Sequence, residues 1–219
     1  MGDESDDPQP GFHHWESFKG QGVYTGVTLN INGEHTSYDD TVYTSDLLTE
    51  HAVEWMEQLE SDQPFFVYLS HKAVHSEFKQ AARHAGMYAG VDYELPATYS
   101  QTQDGSYKDL LWPEWVKEQR YSWHGVDYMY HSKGAVGDLV IDYCETLMGV
   151  DESIGTVMAY LKARGIADET VVIYMGDNGF SWGEHGLIDK RHFYEESAKV
   201  PLLVRCPDLF EGGETLHSL

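Results

Sequence analysis

Cysteine is nearly missing from this 219-residue sequence, which has two, Cys144 and Cys206. That excludes a disulfide-stapled scaffold and a multi-cysteine zinc module. Positive charge is scarce as well: 14 lysines and arginines stand against 37 aspartates and glutamates, a formal net charge of −23. A chain of that sign is repelled by nucleic acid and by anionic membrane surfaces, so neither is expected as a partner. No stretch approaches the roughly 18 consecutive apolar residues of a membrane span. The first seven residues, MGDESDD, carry no mark of a signal peptide. There is no internal repeat and no low-complexity linker.

What remains is enough for a folded core, since 41% of residues are hydrophobic and 13% aromatic. The acidity has two readings. One is a strongly hydrated surface; the other is that some carboxylates hold a divalent cation. Only the position of particular residues separates them.

Along the chain, residues 1–45 read as an irregular opening segment. Its first ten residues are polar and acidic. Val23, Thr25, Val27, Leu29 and Ile31 then alternate up to a turn at Asn32-Gly33. Residues 46–75 read as helix, strand and histidine loop. Leu48, Ala52, Trp55, Met56 and Leu59 recur on one helical face, with Thr44 or Ser45 as the cap. The run PFFVYLS at 64–70 reads as a buried strand. Residues 76–133 are rich in Tyr, Trp, His and Gly with weak periodicity, and read as an irregular insertion on one face. In 134–219 a long helix covers about 136–164, with Val140, Cys144, Leu147, Asp151, Ile154, Met158 and Leu161 in step and Gly165 as its stop. Apolar strands follow at 170–175 and 200–205. Helix, buried strand, long helix, buried strand is the rhythm of an α/β fold, with a mostly parallel central sheet and helices on both faces. Ligands in such sheets bind beyond the carboxyl ends of the strands.

Beyond the first strand lies SHKAVH (70–75); beyond the second lies GDNGF (176–180), then GEHGLIDKR (183–191) and YEES (194–197). Asp-Asn-Gly is an ordinary turn signal. It is also a pair of oxygen donors, the Asp177 carboxylate and the Asn178 carbonyl, suited to a hard cation. His75, His185 and Lys190 each have a plain reading as loop or surface residues. Together with Asp177 and Asn178 they supply an oxygen-ligand pair, a titratable imidazole and a cation able to hold an anion.

The string GDNGFSWGEHGLIDKRHFYEESAKVPLL at 176–203 closely resembles the signature of the formylglycine-dependent sulfatases of the alkaline-phosphatase-like superfamily. The likeness extends through PFFVYLSHKAVH (64–75), WHGVDYMYH (123–131) and YCETLMGVDESIG (143–155). GFHHWESFKGQGVY (11–24) resembles a GFDxW-type segment, departing from it at His13-His14. Among these enzymes the chain is most similar to bacterial glycan sulfatases of the N-acetylglucosamine-6-sulfatase type. The resemblance implies a sulfuric ester hydrolase acting on a sulfated sugar or glycan. Asp177 and Asn178 would bind calcium, in preference to magnesium. His75 would contact the sulfate or leaving oxygen and Lys190 the sulfate, while His185 would line the substrate side.

The same resemblance marks what is missing. The family nucleophile is a formylglycine made from the first residue of C/S-x-P-S-R. Neither Cys144 (CETLM) nor Cys206 (CPDLF) begins that motif. The paired aspartates that complete the calcium site precede the nucleophile in family members, and Asp6-Asp7 is not their counterpart. Met1 matches the internal methionine of a G-K-W-H-[ML]-G motif. The expectation is therefore a partial, inactive catalytic domain, without its nucleophile region and C-terminal subdomain. The full-length protein would be periplasmic or secreted, matured by a formylglycine-generating or sulfatase-maturing enzyme. Two other readings stay open: a phosphodiesterase or phosphonate hydrolase of the same superfamily, and a non-catalytic remnant.

Overall fold

The structure is a computed structural model that describes residues 5–99, 111–118, 129 and 136–216. The segment WHGVDYMYH, apart from Met129, and much of the insertion expected over 76–133 lie outside the described residues. The fold is mixed α/β. It divides into two compact units, Met1–Ala89 with Asp142–Tyr160, and Gly90–Ile141 with Leu161–Leu219.

In the first unit, strand β1 (Glu16–Ser17) pairs antiparallel with β2 (Thr28–Ile31), which pairs antiparallel with β3 (Glu34–Ser37). Ile31 lies opposite Glu34, so the turn is the two residues Asn32 and Gly33, with φ of 53° and 99°. A type I′ turn needs positive φ at both places, which asparagine tolerates and glycine adopts at no steric cost. The expected turn is therefore present. β3 is polar and exposed along its whole length, as suits an edge strand.

Helix α1 (Thr44–Glu57) follows, with Tyr43 at its N-cap and no side-chain cap. The expected cap, Thr44, is occupied elsewhere: its hydroxyl donates to the Val23 carbonyl at 2.8 Å. Ser45 does not cap either; its carbonyl accepts the Thr49 hydroxyl. Leu47 and Leu48 from α1, Leu29 from β2 and Val27 just before it form the core, with Phe18, Tyr38 and Leu69 packed on it.

Residues 64–70 are not the buried strand expected. They take no strand conformation, and Phe66 and Tyr68 are 74% and 77% exposed. An apolar run becomes a strand only when a neighbouring backbone meets its amides and carbonyls. Within the described residues none does.

Past residue 111, α2 is the short helix Glu114–Glu118. The long helix α3 runs Val136–Ala163, close to the expected span. It ends in a Schellman motif: Ile166 N–H donates to the Leu161 carbonyl and Gly165 N–H to the Lys162 carbonyl, with Gly165 at φ 73°. Its packed face is more polar than the periodicity suggests. Glu145, Thr146 and Ser153 are buried, while Leu147, Ile154 and Met158 are half-buried. Glu145 accepts Gln80 Nε2 at 2.8 Å and the Tyr88 amide at 3.2 Å. Ser153 meets Thr49 Oγ1 at 2.6 Å and His71 Nε2 at 2.9 Å.

In the second unit β4 (Val172–Met175) pairs antiparallel with β7 (Leu202–Arg205), setting Val172 opposite Arg205 and Met175 opposite Leu202. β5 (Ser181–Trp182) pairs antiparallel with β6 (Ile188–Asp189), and a short helix α4 (Glu195–Ala198) precedes β7. Every ladder among the described residues is antiparallel, so the expected parallel order is not among them. Nor are the apolar strands buried on both faces: Ile173, Met175, Leu202 and Leu203 are all more than half exposed.

Two outcomes follow for stability. Leu29 is fully buried at the centre of the first unit's core. Leu29→Ala should cost about 2–5 kcal/mol, read as a lower urea midpoint at unchanged slope. His71 is the second case. Burial pushes its pKa down from 6.5 to about 4, with Asp46 pulling weakly the other way. The unfolded chain then takes up the proton first. Stability is complete above pH 6.5 and falls as pH drops toward 4. Between pH 7 and pH 5 this group should remove about 2 kcal/mol of unfolding free energy. His71→Asn should lose that component, and an unchanged pH slope in the variant would refute the assignment.

Candidate active site

The site residues of the second unit are positioned by one short chain of hydrogen bonds. β4 delivers the chain into Gly176-Asp177-Asn178-Gly179. There Asn178 N–H donates to Asp177 Oδ1 at 2.9 Å, and Asn178 Nδ2 donates to the Gly179 carbonyl at 2.8 Å. Those bonds turn the Asn178 amide so that its oxygen is left as an acceptor. Gly179 N–H then donates to the Ser197 carbonyl at 2.8 Å. A Cβ on Gly179 would stand 2.1 Å from the Glu196 carbonyl oxygen, so only glycine allows this approach. From α4 the link continues, because the Ser197 hydroxyl donates to the Lys190 carbonyl.

Lys190 is held from its other side by Asp189, which is buried. One Asp189 oxygen accepts the Lys190 amide at 2.7 Å, and the other accepts Arg191 Nε at 2.7 Å. The charge of Asp189 is thus compensated by Arg191, not by the Lys190 side chain. His185 sits in the 3₁₀ turn Glu184–Gly186 with φ 56°, an uncommon conformation that histidine adopts more readily than most residues. Its ring stacks on Tyr194 at 3.8 Å between centroids and 11° between planes. Nε2 lies 3.3 Å from Glu196 Oε2. His192 packs edge-on to the same Tyr194 at 5.4 Å, and its pKa is lowered, mainly by burial.

So Asp177, Asn178, His185 and Lys190 share one unit and are tied together through α4. The tying residues, Ser197, Asp189 and Tyr194, were not singled out by sequence reasoning. YEES was visible as a motif, but nothing in it says that its serine bridges two loops.

His75 belongs to the first unit. A turn sets it there: His75 N–H donates to the Lys72 carbonyl at 2.8 Å, and the Tyr24 hydroxyl donates to the His75 carbonyl. His75 Nδ1 lies 2.6 Å from the Ser76 carbonyl, which places the proton of the neutral ring on Nδ1 and the lone pair on Nε2. Burial foremost, with the Glu145 carboxylate second, pushes the Cys144 thiol pKa up, away from thiolate. Cys206 is buried, with Sγ 3.5 Å from the Asp168 carbonyl.

The donors fit calcium in kind and not in number. Asp177 and Asn178 bring two oxygens, against the roughly 6–8 that calcium takes. Among the described residues no group of three or more His, Cys, Asp or Glu side chains could hold a metal.

Comparison with known proteins places the chain. The N-acetylglucosamine-6-O-sulfatase of Bacteroides thetaiotaomicron is 28% identical over 264 residues, covering 97% of this chain and 47% of its own. The N-acetylglucosamine-6-sulfatase of Capra hircus is 25% identical, covering 91% of this chain and 34% of its own. A solved structure in complex with its substrate D-glucosamine-2-N,6-O-disulfate is 26% identical with a TM-score of 0.71. It covers 92% of this chain and 51% of its own. The chain therefore spans about half, or less, of the length of these relatives. The sulfatase family profile matches residues 5–217, and on that extent the chain belongs to the sulfatase family, within the alkaline-phosphatase-like superfamily.

Proposed function

We propose that this chain is the metal-loop and lysine portion of a hydrolase for sulfate esters of sugars, 6-sulfated N-acetylglucosamine among them. The observation that carries the reading is the link Gly179–Ser197–Lys190, which fixes the Asp177-Asn178 loop and the lysine in one frame. The names of the two relatives and the disulfated sugar bound in the similar structure support the substrate class.

Asp177 and Asn178 are proposed to give calcium two of its donors. Bound calcium would supply positive charge for the sulfate oxygens. Lys190 adds a second positive charge to the same oxyanion, and preorganised charge of this kind acts where negative charge develops in the transition state. His75 Nε2 would exchange a proton with the ester oxygen that leaves as the alcohol. His185, held flat against Tyr194, lines the sugar side. The nucleophile is proposed to be a formylglycine from outside these 219 residues, installed by a maturing enzyme.

The finer fold belongs to the same proposal. β4 and β7, paired antiparallel here, would belong to a mostly parallel sheet with helices on both faces in the whole protein. That would account for apolar residues such as Ile173 and Leu203 standing exposed in this chain. The expected partition at 45, 75 and 133, and a periplasmic or secreted location for the full-length protein, are likewise proposed on the family resemblance. Among the described residues no helix is long and apolar enough to cross a membrane.

Assayed with a chromogenic aryl sulfate and 6-sulfated N-acetylglucosamine, the 219-residue chain should show no turnover. A protein joining it to a formylglycine-bearing N-terminal half should be active. In that protein Lys190→Ala should lower kcat by about 10²–10³-fold. Turnover of an aryl phosphate diester or phosphonate in preference to the sulfates would favour the phosphodiesterase reading instead. Calcium should bind the 219-residue chain weakly by titration calorimetry; tight binding would mean that Asp177 and Asn178 have enough partners already. Gly179→Ala should cost about 1–3 kcal/mol, because backbone rather than a movable side chain blocks its Cβ.

A further inference from the structure

A second feature lies wholly within the first unit. A cavity of about 420 Å³ is lined by Tyr24, Thr25, Lys72, Ser76, Glu77 and Lys79, with Gly22 and Val23 behind them. The first unit has only four cationic residues, Lys19, Lys72, Lys79 and Arg83. Arg83 is spent on Asp46 and Glu152, at 2.7 Å and 2.5 Å. Two of the other three line this one cavity.

Both lysines are anchored by a single donated bond. Lys72 Nζ donates to the Gln21 carbonyl at 3.1 Å and sits 5.1 Å from the centre of the Tyr24 ring. Lys79 Nζ donates to Thr25 Oγ1 at 3.2 Å. An ammonium has three N–H donors, so each keeps capacity for a further acceptor. Burial lowers the Lys72 pKa, with Glu77 opposing, so its charge is incompletely compensated where it stands. Residues that line the cavity also hold the backbone of His75: the Lys72 carbonyl accepts its amide, the Tyr24 hydroxyl donates to its carbonyl, and Ser76 follows it.

We infer that this cavity is a subsite for a second anionic substituent of the sugar, a sulfate or a carboxylate other than the ester that is hydrolysed, held by Lys72 and Lys79. The part about the sugar rests on the function proposed above; the anion site does not. Glu77, exposed at the rim, works against anions in general, so only a multiply accepting group that reaches both ammoniums gains enough to enter.

The experiment uses the 219-residue chain labelled with ¹³C-lysine, its signals assigned through K72M and K79M. Inorganic sulfate is titrated in at constant ionic strength. The Lys72 and Lys79 Cε–Hε signals should shift saturably while exposed Lys162 does not, and E77Q should tighten binding severalfold. Absence of a saturable shift, or equal drift at Lys162, would overturn the site. A second arm compares glucosamine 6-sulfate with D-glucosamine-2-N,6-O-disulfate. The disulfate should bind about tenfold tighter, equivalent to about 1.4 kcal/mol. K72M/K79M should abolish that ratio and K72R/K79R should retain it. A ratio unchanged in K72M/K79M would show that the second sulfate is read elsewhere. H75A tests the underlying function separately: if it weakens neither sugar while the sulfate shifts persist, the proposed function fails and the anion site stands.

Discussion

The second unit depends on the contact between Gly179 and α4. Its amide reaches the Ser197 carbonyl only because nothing occupies the space where a Cβ would lie, 2.1 Å from the neighbouring carbonyl. Given that approach, Ser197 can use its hydroxyl on Lys190. Two loops that leave different strands are then fixed by one residue. In the function proposed above, Lys190 and the metal that Asp177 and Asn178 would hold serve one oxyanion, and that requires their separation to be set in advance, since reorganisation during reaction would cost what the charges supply. A serine with one backbone acceptor and one side-chain donor sets it with the fewest groups.

Much of this was legible in the sequence where the cause is local. Asn32-Gly33 makes its turn because those two residues tolerate positive φ, whatever lies around them. α3 stops at Gly165 because a left-handed residue there satisfies the last carbonyls. The Asp177-Asn178 loop, Lys190 and His185 were legible as motif residues, and the structure gathers them in one unit. His75 lies in the other unit, and its role rests on the motif.

What was not legible depends on partners distant in sequence. The run at 64–70 has strand composition but meets no neighbouring backbone among the described residues, and composition cannot announce that. The α3 face erred for a related reason. Counting apolar steps selects Leu147, Ile154 and Met158, yet the buried positions include Glu145, Thr146 and Ser153. Each of these has a partner, in Gln80, in its own helix at Asp142, or in Thr49 and His71. Burial of a polar group is acceptable once its hydrogen bond is made inside. A hydropathy pattern sees the group and not the bond.

The acidity of the chain sharpens the meaning of its few cations. At −23 the long-range field opposes any polyanionic sugar, although salt screens it beyond about 10 Å. Attraction must then come from charges close to the ligand and short of carboxylate partners. Arg83, Arg191 and Arg205 fail that condition, being paired with Asp46, Asp189 and Asp168. Lys190 meets it, because Asp189 spends its oxygens on the Lys190 amide and on Arg191 and leaves the ammonium alone. Lys72 meets it through a carbonyl and an aromatic face, and Lys79 through a hydroxyl, none of which carries formal charge. On the two proposals above, the counter-charge for Lys190, Lys72 and Lys79 would come from the ligand.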